Sequence, residues 1–264
     1  MYLLHWGLHK FPFDNVADPS FFYLSESHEE ALSRLIYASK MMKGGAMLTG
    51  GIGCGKTLIS KVYMKRLIEE GAEVSLITNP PSGAVELLQE ILYQMDITEL
   101  PDSKTKLLQI LNKKMIDNME QRKETIIIID EAQILSEETF EEARLLLNFQ
   151  SHDRFLLTLI LIGQNELRVK IRQMRQFDQR IAIRYHLKPF QFLNTTRYIM
   201  FREKKAGLVK NVFTTPAIKK IYEYSHGVPR RINSVCDLCL LIGFDKKKEF
   251  IDSGIVKDVI EELE

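Results

Sequence analysis

The stretch MLTGGIGCGKTLIS, residues 47–60, places glycines, a lysine and a threonine between a short apolar run and a longer helical pattern. Gly50, Gly55, Lys56 and Thr57 have the spacing GxxxxGK followed by threonine. Glycine lets the backbone curl until successive N–H groups point at phosphate oxygens, and the following helix adds its positive N-terminal end. The stretch therefore predicts a phosphate-binding loop between a strand and a helix.

The loop predicts a nucleotide site with magnesium. Lys56 is expected to reach the outer phosphates as a point charge, and the Thr57 hydroxyl to be a ligand of Mg²⁺. The alternative is a glycine-rich turn with a surface lysine. The predicted nucleotide contacts in this stretch are Gly50, Gly51, Ile52, Gly53, Cys54, Gly55, Lys56, Thr57 and Leu58.

Two adjacent carboxylates in TIIIIDEAQIL, residues 125–135, predict the second half of that site. A buried strand that ends in an acid places it beside the loop after the first strand, where ligands collect in open parallel sheets. Asp130 is predicted to hold Mg²⁺ through water. Because side chains alternate along a strand, Glu131 is expected to point differently and to polarise the attacking water. The alternative is a pair of exposed acids at a strand end.

Composition limits the class of protein. The chain has 264 residues, of which 45% are hydrophobic, and its 36 Lys and Arg nearly balance 35 Asp and Glu, so no global charge indicates or excludes nucleic acid. It shows neither a run of 18 apolar residues nor a signal-peptide pattern, which predicts a cytoplasmic protein with no transmembrane segment of its own. Attachment to the inner membrane through a partner stays open. The CxxC pair Cys236 and Cys239 is predicted to be core thiols.

Apolar runs alternate with amphipathic helical patterns, which is typical of a parallel sheet with crossover helices. We predict an α/β three-layer P-loop NTPase domain over residues 1–190, followed by a small helical lid domain over 191–264. Ser27 and Glu30 have capping-box spacing, which predicts a helix that begins after Ser27. The predicted strands are 46–49, 73–78, 125–129, 156–163 and 181–187.

Six stretches, in order, resemble the AAA+ ATPases of the ExeA/GspA type. They are residues 2–38, the loop LTGGIGCGKT, IIIIDEAQ, LILIGQNEL, QRIAIRYHLKPF and GVPRRIN. That family is associated with general secretion and pilus biogenesis, and its ATPase module is related to the transposition ATPases TniB, TnsC and MuB. The longer secretion members continue into a transmembrane segment and a peptidoglycan-binding domain, which this sequence does not show.

The resemblance assigns roles to further residues. It implies that Gln164 or Asn165 is the sensor-1 amide, which hydrogen-bonds the attacking water and the outer phosphate, and we prefer Gln164. It implies that Arg230 is sensor 2, a lid arginine that folds back onto the phosphates. His28 is a candidate contact to the base. The aromatic side chains that either flank adenine or belong to the core are Phe11, Phe13, Phe21, Phe22 and Tyr23.

The resemblance also implies an oligomer, because an arginine near the start of the last strand would reach the nucleotide of a neighbouring subunit. Arg180 is preferred, followed by Arg175 and Arg184, and the alternative is a solvated basic face. We therefore expect an ATP-binding and ATP-hydrolysing ring or filament that requires Mg²⁺.

The cellular role stays open between classes. One class is a secretion or pilus ATPase with a protein partner, and the other is a DNA-binding regulator that recruits a transposase. A P-loop switch without useful turnover is disfavoured by the adjacent acids. The lysines that would track DNA, or form a solvated helix face, are Lys104, Lys106, Lys113 and Lys114.

Overall fold

A fully parallel five-stranded sheet forms the centre of the fold in the computed structural model, which describes residues 2–151 and 154–263. The strands are β1 (Gly45–Gly50), β2 (Glu73–Ile77), β3 (Thr125–Ile129), β4 (Thr158–Gly163) and β5 (Ile181–Leu187), and their order across the sheet is β2-β3-β4-β1-β5. These bounds agree with the predicted strands to within two residues. The predicted α/β P-loop fold with a helical C-terminal part is confirmed.

Helices connect and follow the strands. They are α1 (Tyr2–Trp6), α2 (Glu26–Lys40), α3 (Lys56–Glu69), α4 (Ala84–Tyr93), α5 (Lys104–Glu120), α6 (Glu137–Leu146), α7 (Asn165–Gln173), α8 (Arg175–Asp178), α9 (Phe192–Lys205), α10 (Thr215–Ser225), α11 (Pro229–Asp245) and α12 (Ser253–Leu263). Short 3₁₀ helices cover Pro19–Phe21 and Ala132–Ile134. None of the described helices is both long and apolar enough to cross a bilayer.

The central strands are apolar throughout because both faces of the sheet are covered. Every residue of β1, β3 and β4 is buried. On one face, Met47, Ile127 and Leu159 belong to a core that α4, α5, α6 and α7 complete. On the other face, α2 and α3 pack on the sheet. A strand buried on both sides reads as a continuous apolar run, which is why the sequence located these strands.

The chain divides into two compact units, and the residues that belong to each unit correct one part of the predicted domains. One unit contains the sheet and comprises Glu26–Ile52 and Lys56–Leu187. The other comprises residues 2–25, Gly53–Gly55 and residues 188–263. The aromatic N-terminal segment was predicted to belong to the sheet domain, but it packs with the C-terminal helices.

Hydrophobic burial explains that correction. Trp6, Phe13 and Phe21 share a core with side chains of α9 and α11 such as Ile199 and Ile232. The Trp6 indole also donates to the Leu240 carbonyl at 2.9 Å. Large aromatic side chains bury 150–250 Å² each, so the lid helices give this segment the apolar surface that stabilises it.

The predicted capping box at the start of α2 is wrong. The helix already begins at Glu26, so Ser27 lies inside its first turn. The Ser27 hydroxyl instead lies 3.1 Å from the Tyr185 hydroxyl on β5. The tertiary contact between α2 and the edge strand therefore replaces the local cap that the sequence pattern suggested.

Glu203 of α9 is a buried carboxylate that ties down the segment before α10. It is completely inaccessible to solvent, and one of its oxygens accepts the Val212 N–H at 3.0 Å. Its other oxygen has no hydrogen-bond partner in the described part of the chain. Burial raises the pKa of Glu203 from 4.5 to about 7, against the opposing effect of the Val212 and Phe213 N–H groups.

We predict that Glu203 makes stability depend on pH. Because its pKa is higher in the folded than in the unfolded chain, its stabilising contribution is complete below pH 4.5 and is lost as pH rises through about 7. Chemical denaturation should therefore show Glu203→Gln gaining up to about 3 kcal/mol relative to the native chain between pH 5 and pH 8. Glu223→Gln, at an exposed position of α10, is the control. A difference that is the same at both pH values would contradict the assignment.

Candidate functional site

The carboxyl ends of three neighbouring strands bring the predicted site residues to one edge of the sheet. β4 pairs with β3 on one side and with β1 on the other. The segments that follow these strands carry Lys56 after β1, Asp130 after β3 and Gln164 after β4. Since all strands are parallel, these segments leave the sheet at the same edge, which is where open α/β sheets bind ligands.

The phosphate-binding loop is curled around the Lys56 ammonium. Lys56 is the first residue of α3, is only 5% exposed, and donates to the Gly50 and Gly51 carbonyls, each at 3.0 Å. Gly53 and Gly55 have φ values of +76° and +94°, which side chains rarely adopt. The loop backbone thus requires glycine at Gly55, which the GxxxxGK pattern specifies, and at Gly53, which the pattern leaves open.

Gly53 also lies close to Arg230, and both belong to the unit that contains the C-terminal helices. Its carbonyl accepts the Arg230 N–H at 3.2 Å, and a Cβ at Gly53 would lie 2.7 Å from the Arg230 Cβ. Arg230 stands in the first turn of α11. The residue proposed as sensor 2 is therefore attached to the loop through its backbone.

Asp130 is a buried carboxylate paired with the hydroxyl of the half-buried Thr57. Asp130 is 1% exposed, and its carboxylate accepts from the Thr57 hydroxyl and from the Glu131 N–H, the latter at 2.9 Å. Burial raises the pKa of Asp130 above its usual value, which the Thr57 and Glu131 hydrogen bonds oppose. A buried anion beside a hydroxyl is a hard donor set that suits Mg²⁺.

Thr57 and Asp130 together offer two protein oxygens to a metal ion. Within residues 2–151 and 154–263, no group of three or more His, Cys, Asp or Glu could form an all-protein cage. Mg²⁺ is usually held by one or two protein oxygens together with substrate phosphates and water. Thr57 and Asp130 therefore fit the ion that the motif predicts.

Glu131 lies between two amides. Gln164 Nε2 donates to Glu131 Oε2 at 3.3 Å, and Gln133 Nε2 donates to the same oxygen. Asn165, the other sensor-1 candidate, is exposed at the start of α7, so Gln164 is the amide that contacts the acid. Gln133, two residues after Glu131 in IIIIDEAQ, was not among the predicted site residues.

Residues 40–171 match the family model described as AAA domain. The chain belongs to this family. It is 35% identical to General secretion pathway protein A of Aeromonas hydrophila over 257 aligned residues. The alignment covers 96% of this chain and 47% of that protein. The resemblance to the ExeA/GspA type is thereby confirmed, and the chain spans about half the length of this relative.

Two further comparisons give more distant matches. ATP-dependent target DNA activator B of Escherichia phage Mu is 24% identical over 234 residues, which cover 82% of this chain and 71% of that protein. The Aeropyrum pernix ORC2 protein has 18% identity and a TM-score of 0.71, with 96% of this chain and 71% of that chain covered. At that identity the structural match shows the fold alone.

The candidate arginines of this AAA domain protein differ in their contacts. Arg180 donates to the Leu147 carbonyl at 2.7 Å, and Arg184 pairs with Asp178 at 2.7 Å. Arg175 is exposed, and its guanidinium forms no hydrogen bond or ion pair in the part of the chain that the structure describes. Arg175 is thus the candidate with all its donors available to another chain.

Other residues that the sequence singled out lie in the interior of their units. His28 is buried on α2. Cys236 and Cys239 are buried on α11, and burial raises the pKa of both thiols, as expected for core cysteines. The aromatic Phe13 and Tyr23 pack edge-on against Phe213 and Phe190, which assigns them to the core of their unit.

Proposed function

We propose that the chain binds ATP with Mg²⁺ and hydrolyses it, and that turnover is coupled to the assembly of secretion or pilus machinery or to the recruitment of a partner. The observation that carries the proposal is the convergence of Lys56, the Asp130–Thr57 pair and the Glu131–Gln164 contact at one sheet edge. These are the groups that phosphoryl transfer needs: a phosphate cradle, a metal site and a group that orients water.

Each residue has a separate task in this proposal. The loop N–H groups and Lys56 bind the phosphates, and Thr57 and Asp130 hold Mg²⁺, which when bound neutralises charge that develops on the phosphate oxygens. Glu131 accepts a hydrogen bond from the attacking water and polarises it. Gln164 directs its amide at the same water and the outer phosphate, and Arg230 adds positive charge from the lid.

The first functional test separates binding from catalysis. Lys56→Ala should lose ATP binding, because the charge that holds the phosphates is removed. Glu131→Gln should keep binding and lower the turnover number about 10²- to 10⁴-fold, because only water activation is lost. Binding of a fluorescent ATP analogue and phosphate release measure the two effects, with Lys65→Ala and Glu69→Gln on the exposed side of α3 as controls. Native turnover by Glu131→Gln would remove the catalytic assignment.

The proposed oligomer follows from the arginines near the last strand. A neighbouring subunit would supply a guanidinium to the outer phosphate, where its fixed charge stabilises negative charge during transfer. Arg180 is the candidate that the family pattern favours, whereas Arg175 is the one with an uncommitted guanidinium. The proposed assembly is a ring or filament of identical chains, located in the cytoplasm and attached to the inner membrane, if at all, through a partner.

Mixing variants tests the oligomer. Arg180→Ala mixed with Lys56→Ala should recover activity, because one loop and one arginine remain intact at some interfaces. Random assembly at equal amounts restores about a quarter of the sites if the interface is heterologous. Arg175→Ala and Arg184→Ala, mixed in the same way, identify which arginine acts. If none of the three mixtures recovers activity while sedimentation shows oligomers, the arginines do not act in trans.

A second candidate function is ATP-dependent DNA binding. The phage Mu relative is named for a target DNA, and α5 exposes Lys106 and Lys113 seven residues apart on one face. The other lysines of this helix are already paired, Lys104 with Glu142 and Lys114 with Glu73. The basic surface of α5 is therefore smaller than its sequence suggested, and the secretion-type role remains the first candidate.

Duplex DNA binding across a salt series tests this second function. DNA should bind only with ATP, stimulate hydrolysis and lose affinity steeply as salt rises. Lys106→Glu with Lys113→Glu should weaken binding, whereas Lys219→Glu with Lys220→Glu on α10 makes the same charge change as a control. Affinity weaker than about 1 mM at low salt would exclude DNA, since non-specific binding normally falls between about 0.1 mM and 1 μM.

A further inference from the structure

Gln133 joins the two parts of the site that carry Glu131 and Gln164. It lies in the 3₁₀ helix Ala132–Ile134 directly after the acid pair. Its Nε2 donates to Glu131 Oε2, and its Oε1 accepts the Gln164 N–H at 3.1 Å. The Gln164 side chain donates to the same Glu131 oxygen at 3.3 Å. The three residues form a closed arrangement in which the Gln133 amide contacts both the Glu131 carboxylate and the Gln164 backbone.

Two features of the backbone accompany this arrangement: the conformation of Glu131 and the lack of a side chain at Gly163. Glu131 has a φ of +51°, a left-handed conformation that costs a residue with a side chain about 1–2 kcal/mol. At Gly163, the last residue of β4, an added Cβ would lie 2.4 Å from Gln133 Oε1. A side chain at Gly163 would therefore displace the Gln133 amide from its partners.

We propose that Gln133 is a positioning residue that orients the Glu131 carboxylate and couples it to the end of β4. This inference rests on the proposed ATPase function. When the Gln164 side chain turns toward water and phosphate, the Gln133 amide still holds Glu131 Oε2, while its carbonyl oxygen keeps the Gln164 backbone in place. Such preorganisation matters because a misplacement of about 1 Å can cost about 10²-fold in rate.

A purely structural tie between the acid segment and β4 is the competing explanation, and a double-mutant cycle distinguishes the two. We expect Gln133→Ala to lower the turnover number about 10- to 100-fold and to leave ATP affinity within about twofold. In the Glu131→Gln background the same change should lower turnover less than about twofold, because the group that Gln133 positions is already disabled. A structural tie would lower turnover equally in both backgrounds.

Two further variants keep the test decisive if Gln133→Ala folds poorly. Gln133→Glu retains an oxygen for the Gln164 N–H but cannot donate to Glu131 when ionised, so it should lose turnover as Gln133→Ala does. Gly163→Ala displaces the amide from outside and should show the same dependence on Glu131. Gln173→Ala, at the exposed end of α7, is the matched control and should keep native turnover.

The outcomes separate this inference from the proposed function. Native turnover by Gln133→Ala, equal losses in both backgrounds, or full turnover by Gln133→Glu would each overturn the role of Gln133. Native turnover by Glu131→Gln would instead overturn the proposed water activation itself. Turnover is measured as phosphate release at saturating ATP, and thermal unfolding of each variant shows whether the fold is kept.

Discussion

The parallel pairing of β4 between β3 and β1 is the constraint on which the site depends. The register places Leu161 of β4 beside Ile129 of β3 and beside Met47 of β1, so the three strands end close together. Parallel hydrogen bonding sends all three carboxyl ends to one edge. The glycine-rich loop, the acid pair and the Gln164 amide are therefore neighbours although more than 100 residues separate Gly50 from Gln164.

The same edge holds groups that burial disfavours. Asp130 is an almost fully buried carboxylate, and Lys56 is a buried ammonium that donates to the backbone carbonyls of Gly50 and Gly51. Removing a charge from water is costly unless a partner compensates for it. A cation beside Asp130 and phosphates beside Lys56 would supply that compensation, so the polarity of the site matches the ligands of the proposed reaction better than it serves the stability of the fold.

The sequence predicted those features that depend on short-range patterns. Strands such as β3 were located because a strand that is buried along its whole length consists of consecutive apolar residues. The loop was located because the positive φ at Gly53 and Gly55 requires glycine. The start of α2 was wrong because a tertiary contact of Ser27 with Tyr185 overrides local capping. The packing of the N-terminal segment was also wrong, since alternating strands and helices say nothing about which apolar surface an aromatic segment joins.

Gln133 could not be found from spacing for a related reason. Its contact with the Gln164 backbone joins residues 31 positions apart, and it exists because of the β3–β4 register and the left-handed turn at Glu131. Neither property follows from the letters DEAQ alone. The role of Gly163 could not be predicted from the sequence either, because it depends on which atoms a Cβ at that position would contact. The proposed site residues could thus be chosen from their motifs, whereas the residue proposed to orient Glu131 depends on the β3–β4 register.

The choice of amides around Glu131 has a chemical consequence. A lysine or arginine in the place of Gln133 would also hold the carboxylate, but as an ion pair that neutralises its charge. Neutral amides donate hydrogen bonds without supplying a full positive charge, so they fix the direction of the carboxylate and leave its negative charge to act on water. Asp130 is treated differently, because the Thr57 hydroxyl beside it completes a ligand set for a cation. In the proposed reaction, two adjacent acids therefore have different tasks because of their neighbours: the hydroxyl beside Asp130 suits it to a metal ion, and the two amides around Glu131 suit it to water.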